Sequence, residues 1–200
     1  MNKNVWNHNY AYHNWIKKNI NKNSTVLDVG CGDGTLIFKI CYMCKKVYGI
    51  DPDTKSIDTA KKNNTYDNIS FINDDFLKYD FGNTKFDNII FVASIHHMDM
   101  EEALKKAKKL LNEDGKIIIV GMYKASSISD YLIEVLRIIP SFIISKIKRN
   151  KTSEEMNIVT NYNFPTGDEV RNICKKILEK DYSIKYALHY RYLLLWSNKN

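Results

Sequence analysis

The run VLDVGCGDGT at residues 26–35 constrains this chain more than any other stretch. An apolar strand pattern feeds a turn with glycines at 30, 32 and 34, and Leu36, Ile37, Ile40, Cys41 and Cys44 then follow at helical spacing. Glycine permits positive φ and leaves room for a ligand to approach the backbone. The first turn of the following helix leaves N–H groups unpaired. At the carboxyl end of a first strand, such a turn is where open α/β sheets bind nucleotides.

The rest of the chain repeats the same alternation. Val26–Val29, Val47–Ile50, Ile69–Ile72, Asp87–Val92 and Lys116–Val120 are short and nearly continuous in apolar residues, the pattern of parallel strands covered on both faces. Asp99 is a candidate N-cap for a helix whose apolar stripe is Ala103, Leu104, Ala107, Leu110 and Leu111, and Gly115 ends the turn into the fifth strand. Thr166 and Glu169 have capping-box spacing ahead of Val170, Ile173, Cys174, Ile177 and Leu178. Tyr182 to Tyr190 and Tyr192 to Trp196 read as a closing hairpin. This is the pattern of a doubly wound α/β domain.

With 200 residues, 44% of them apolar, the chain is expected to form one domain, 1–200. Two additions are expected: a cap helix over residues 1–20, and an insertion over 124–164 that serves as a lid, a dimer face or a membrane-surface element through 127–151. No apolar run reaches the roughly 18 residues of a membrane span, and the start MNKNVWNHNY lacks the apolar stretch of a leader, so a cytoplasmic location is expected. Cys41 and Cys44 form a C-x-x-C without the second pair a zinc site needs, and their spacing suits a buried helix face. No metal is expected. The net charge of +7 is spread over lysines such as those of KKAKK and is not clustered, which favours a solvated basic surface over a nucleic-acid footprint.

Asp51 ends the second strand in VYGIDPD, about twenty residues beyond the glycine turn, where a carboxylate accepts hydrogen bonds from ribose hydroxyls. Turn and acid together point to a nucleoside site. The dinucleotide pattern G-x-G-x-x-G would place glycine at 35, where Thr35 stands, so a dehydrogenase is the weakest option. Asp28, and the carboxylates of NDDF at 73–76, suit an amino group and an adenine edge better than a diphosphate.

These motifs resemble the class I S-adenosylmethionine-dependent methyltransferases, in particular the small ones of the type 11 group that act on small molecules. VLDVGCGDG, YGIDPD, NDDFL, FDNIIFVASIHHM and LLNEDGKIIIV carry the resemblance over nearly the whole chain. It implies a Rossmann-like, doubly wound, seven-stranded sheet, mostly parallel with a C-terminal antiparallel hairpin strand, and helices on both faces. It implies S-adenosylmethionine as cofactor, with Asp28, Gly30, Cys31 and Gly32 around the methionine moiety and Asp51 on the ribose. Asp75 and Phe76 are implied at the adenine with Pro52 packed against it, and the backbone near Val92 beside the transferred methyl. Asp74 departs from the family's small residue and is expected to face solvent.

Methyl transfer asks the protein mainly to align nucleophile, methyl carbon and sulfur and to exclude water. A base matters only for an acceptor proton of high pKa. His96 and His97, after the fourth strand, are the candidates, with a packing role as the alternative for each. Tyr10, flanked by His8 and His13, is a second candidate, and Tyr123, Arg191 and Tyr192 are placed to reach the acceptor. The expected activity is methylation of O, N or C of a small organic acceptor by a monomer or homodimer, without nucleic acid. The alternative is a non-catalytic S-adenosylmethionine-binding protein whose cofactor orders the lid for a partner.

Overall fold

The computed structural model of the protein describes residues 11–124, 164–187 and 190–198. Seven strands form one sheet: β1 (Thr25–Val29), β2 (Lys46–Asp51), β3 (Ile69–Asn73), β4 (Phe86–Val92), β5 (Leu111–Met122), β6 (Tyr182–Ala187) and β7 (Arg191–Ser197). Their order is β3-β2-β1-β4-β5-β7-β6. The pairings from β3 to β5 are parallel, and β7 runs antiparallel to both β5 and β6. The expected mostly parallel sheet with an antiparallel hairpin strand is what forms.

The continuous apolar runs are explained by burial on two sides. Leu27, Ile89, Phe91, Ile117 and Ile119 face α4 (Met100–Leu110) and α5 (Gly167–Ile177), where Ala103, Leu104, Val170 and Cys174 complete one core cluster. The alternate residues Val26, Ile90, Ile118 and Val120 face α1 (His13–Asn19), α2 (Ile37–Ile40) and α3 (Thr54–Asn63) through Ile16, Ile37, Ile40 and Ile57. Side chains alternate across a strand, so every residue of such a run is buried.

Both caps read from sequence are present. Asp99 accepts from the Glu102 N–H at 3.0 Å, and Thr166 with Glu169 forms a reciprocal capping box. The helix after the glycine turn, α2, is shorter than its apolar pattern suggests. After Ile40 it tightens into a 3-10 turn at Cys41–Met43, and Asn68 Nδ2 donates to the carbonyls of Cys41 and Cys44, satisfying the terminal acceptors. Cys41 and Cys44 are both buried there as free thiols. β5 begins at Leu111, before Gly115, with a register irregularity against β4.

Of the expected cap over 1–20, the described part is residues 11–20, from which α1 packs Ile16 into the core. The insertion at 124–164, with its expected membrane-surface contact through 127–151, and Tyr10 and His8 lie outside the described residues. No helix among the described residues is long and apolar enough to cross a membrane.

Candidate cofactor and acceptor site

Strand order reverses between β1 and β4: β1 leads outward to β2 and β3, whereas β4 leads to β5 on the other side. Connections diverge at this switch point, leaving a crevice beyond the carboxyl ends of the strands. The glycine turn, Asp51 and the His96-His97 turn all fall at that edge, because they follow β1, β2 and β4 directly.

The turn after β1 is strapped to the end of β2. The N–H groups of Gly30 and Cys31 donate to the Ile50 carbonyl at 2.8 and 3.2 Å. Gly30, Gly32 and Gly34 have φ of 73°, 54° and 78°. At Gly30 a Cβ would lie 2.3 Å from Ser94 Cβ, so glycine is what lets the turn after β1 close on the loop after β4. At Gly32 a Cβ would meet nothing within 4 Å. The space over Gly32 is open to a ligand.

Asp51 is held by its neighbours: its carboxylate accepts from the Gly32 N–H and from the Asp53 N–H, each at 2.9 Å. Asn73, at the end of β3, donates to the carbonyls of Asp51 and Pro52 and accepts from the Thr54 hydroxyl. Asp28, one residue before the end of β1, is 2% exposed, and its Oδ1 is buried with no hydrogen-bond partner. Burial first, and the Asp51 charge second, push its carboxyl up to about 7. A buried carboxylate oxygen without a donor is costly.

On the β3 side, Asp75 accepts from the Leu77 N–H at 2.7 Å and has Lys78 at 3.9 Å. Asp74 is exposed and accepts from the Asp75 N–H. The Phe76 ring is turned into the core against Phe81 and Phe91. Pro52 is exposed, and Cys31 is buried with its thiol pushed up chiefly by burial.

After β4 the chain makes a strained bend. Ala93 has φ of 52°, Ser94 donates to the Val29 carbonyl at 2.5 Å, and a 3-10 turn carries Ile95–His97. Backbone strain of this kind in a non-glycine residue collects at functional sites. His97 is exposed and His96 half-buried, with ring centroids 4.1 Å apart. Burial, then His97, then Arg191 hold His96 down at about 4, so it is neutral at physiological pH.

The second set of candidates divides. Arg191, 8% exposed at the start of β7, lies within electrostatic reach of Tyr12 and of His96. His13 is buried with Nδ1 3.2 Å from Lys39 Nζ, joining α1 to the helix after the glycine turn. Tyr123 is stacked edge-on between Tyr186 and Tyr190. Tyr192, expected near the acceptor, is a core residue instead: it is fully buried against Gly121, where a Cβ would lie 2.4 Å from its hydroxyl. Inward-facing positions of β7 alternate, and Tyr192 falls on the α4–α5 side.

A methyltransferase domain family model matches residues 20–181. The chain belongs to this methyltransferase family. Its fold is that of the class I enzymes, and S-adenosylmethionine is the cofactor of this methyltransferase domain. It is 34% identical over 98 residues to an uncharacterized methyltransferase of Anoxybacillus flavithermus, covering 48% of this chain and 45% of that one. To a ubiquinone biosynthesis O-methyltransferase of Pelagibacter ubique it is 32% identical over 108 residues, 52% and 44% of the two chains. The chain thus spans about half the length of the curated relatives it matches. Among solved structures, the N-methyltransferase NodS of Bradyrhizobium japonicum in complex with S-adenosylhomocysteine shares the fold with a TM-score of 0.64 at 15% identity, over 94% of this chain and 86% of that one.

The sequence reading missed Ser94 and Asn73. Ser94 wedges against Gly30 and ties β4 to β1, and Asn73 locks the end of β2 to that of β3. Asn73 opens the NDDF motif, so its place at a strand end was available as a signal. Nothing in the local pattern marks Ser94.

Proposed function

We propose that this protein transfers the methyl group of S-adenosylmethionine to oxygen, nitrogen or carbon of a small organic acceptor. The observation that carries the reading is the preoriented Asp51 carboxylate at the switch point, tied to the Gly32 N–H beside open space, with the buried, unpartnered Asp28 oxygen close enough to feel its charge. When bound, the cofactor supplies an electrophilic methyl on a sulfonium.

In this reading Asp28 Oδ1 accepts from the ammonium of the methionine moiety, with the backbone of Gly30, Cys31 and Gly32 alongside. Asp51, its lone pairs aimed by the two N–H groups, takes the ribose hydroxyls. Asp75 and the backbone of Phe76 meet the adenine edge, and the exposed Pro52 ring covers it. Val92, last residue of β4, borders the reacting methyl. His97 is the exposed histidine and the better placed to take an acceptor proton, while His96 is neutral and positions the acceptor. The N- and O-methyltransferase neighbours support a methyl acceptor and leave its reacting atom open between them.

The test is turnover of methyl-labelled S-adenosylmethionine against a collection of small phenols, amines and activated carbon acids. Label in an organic product, lost in His97→Ala with cofactor binding retained, is the expected result. Tight cofactor binding with no labelled product from any acceptor class would leave a binding protein and overturn the enzyme.

A further inference from the structure

The loop that follows β3 is held closed by a residue from α4. Its residues Asp75–Tyr79 make a single turn, in which the N–H groups of Lys78 and Tyr79 donate to the Asp75 carbonyl at 3.1 and 2.9 Å. Asp75 Oδ1 accepts from the Leu77 N–H at 2.7 Å, which fixes the start of the turn. Its end is fixed from α4: Lys106 Nζ donates to the Leu77 carbonyl at 3.1 Å and to the Tyr79 carbonyl at 2.6 Å. The same ammonium stands 5.4 Å from the centre of the Phe76 ring and 5.7 Å from that of Phe81. Burial lowers it from the usual range of a lysine, and the carboxylates of Asp80, Asp75 and Asp74 oppose the lowering. A single turn is too short to hold one geometry by its own bonds. A cation on its terminal carbonyls and over its ring supplies what is missing.

We infer that Lys106 is a positioning residue for the adenine side of the crevice, and that through the Asp75–Tyr79 turn it sets the preference for an adenine over a hypoxanthine base in the cofactor. The inference rests on the methyl-transfer reading and deepens it at the base. Lys106 acts through Leu77, which binds the ammonium by its carbonyl and orients the Asp75 carboxylate by its N–H. The Asp75 side chain is 42% exposed and follows directly on the end of β3, so a ligand in the crevice can reach it. Adenine has an amino donor where hypoxanthine has a carbonyl acceptor. A carboxylate accepts from the first and repels the second. Asp74, Asp75 and Asp80 outnumber Lys78 and Lys106 on this loop, and that acidic balance also favours the amino donor.

Calorimetric titration of S-adenosylhomocysteine and S-inosylhomocysteine into the whole protein reads the preference directly. The wild type is expected to bind the adenosyl compound about thirtyfold more tightly. Lys106→Met should weaken that compound by about tenfold and leave the inosyl compound nearly unchanged. Lys106→Arg, which keeps the charge and the donors, should recover most of the difference. Lys108→Met removes another ammonium of α4, from the Ile177 carbonyl and the Trp196 ring, and should leave both affinities as they were. A full preference in Lys106→Met, an equal loss for both compounds, the same loss in Lys108→Met, or no preference in the wild type would each overturn the inference. If Lys106→Met does not fold, Lys106→Gln is read in the same assay with the same outcomes. Failure of the wild type to bind either compound would instead sink the methyl-transfer reading, so the two failures are separable.

Discussion

At the scale of single residues, two glycines of one turn carry different burdens. Gly30→Ala combines positive φ with a Cβ 2.3 Å from Ser94, so it should cost about 3 kcal/mol of stability in urea unfolding. Gly32→Ala carries only the φ strain, about 1 kcal/mol, and its loss should appear in cofactor affinity, since its Cβ points into open space. Equal destabilisation by both would show that Ser94 yields and that the turn is not closed by it. The place of Asp51 at the end of β2, bonded to the glycine turn, was legible in sequence because the acid follows such a turn at a fixed distance. The isolation of Asp28 Oδ1 and the wedge of Ser94 were not, because each depends on residues from other strands. Asp28 also has a pH signature. Its carboxyl is raised to about 7 from an ordinary 3.8, so the folded, cofactor-free protein binds the extra proton between those values and loses stability as pH rises through that window. Asp28→Asn should remove this component, raising the melting temperature at pH 8 relative to the wild type; an unchanged melting temperature would mean the carboxylate is solvated.

At the scale of elements, strands were the most legible because burial on both faces leaves them continuously apolar, as in Ile117–Val120 between its two helix layers. Their ends were legible to a residue or two, except at β5, where the Leu111–Gly115 stretch joins the sheet irregularly, and at β6, which was read to Tyr190 and ends at Ala187. The helix after the glycine turn was read too long because the apolar stripe continues through Cys41 and Cys44, whereas side-chain bonds from Asn68 end it. Capping residues were readable, since a cap is a local contact. The reciprocal box at α5 gives a measurable consequence: Thr166→Ala should cost about 1 kcal/mol in chemical denaturation. No loss would mean that α5 is held by Val170 and Cys174 alone.

At the scale of the whole molecule, buried histidines and the crevice carboxylate oppose each other in the response to pH. His13 and His96 are both lowered to about 4 from 6.5, chiefly by burial, so between those values the unfolded chain binds two more protons at these sites. Asp28 binds one more in the folded state over much of the same range. The histidines outnumber it, so stability should rise from pH 4 to 6.5 and flatten near neutrality, read as melting temperature against pH; a decline over that interval would contradict the burial of both imidazoles. The overall fold was legible because alternation of strands and helices leaves few topologies. The cavity between the turn after β4 and the start of α5 was not, since its walls come from that turn, from Lys124 after β5 and from the first turns of α5. Everything functional depends on the crevice between β1 and β4 being a nucleoside site centred on Asp51. Calorimetric titration of S-adenosylhomocysteine into the wild type and Asp51→Ala is therefore the decisive measurement. Micromolar binding, about 8 kcal/mol, weakened at least a hundredfold in the variant at unchanged stability, is the expected result, whereas no binding to the wild type, or equal binding to both, would contradict it.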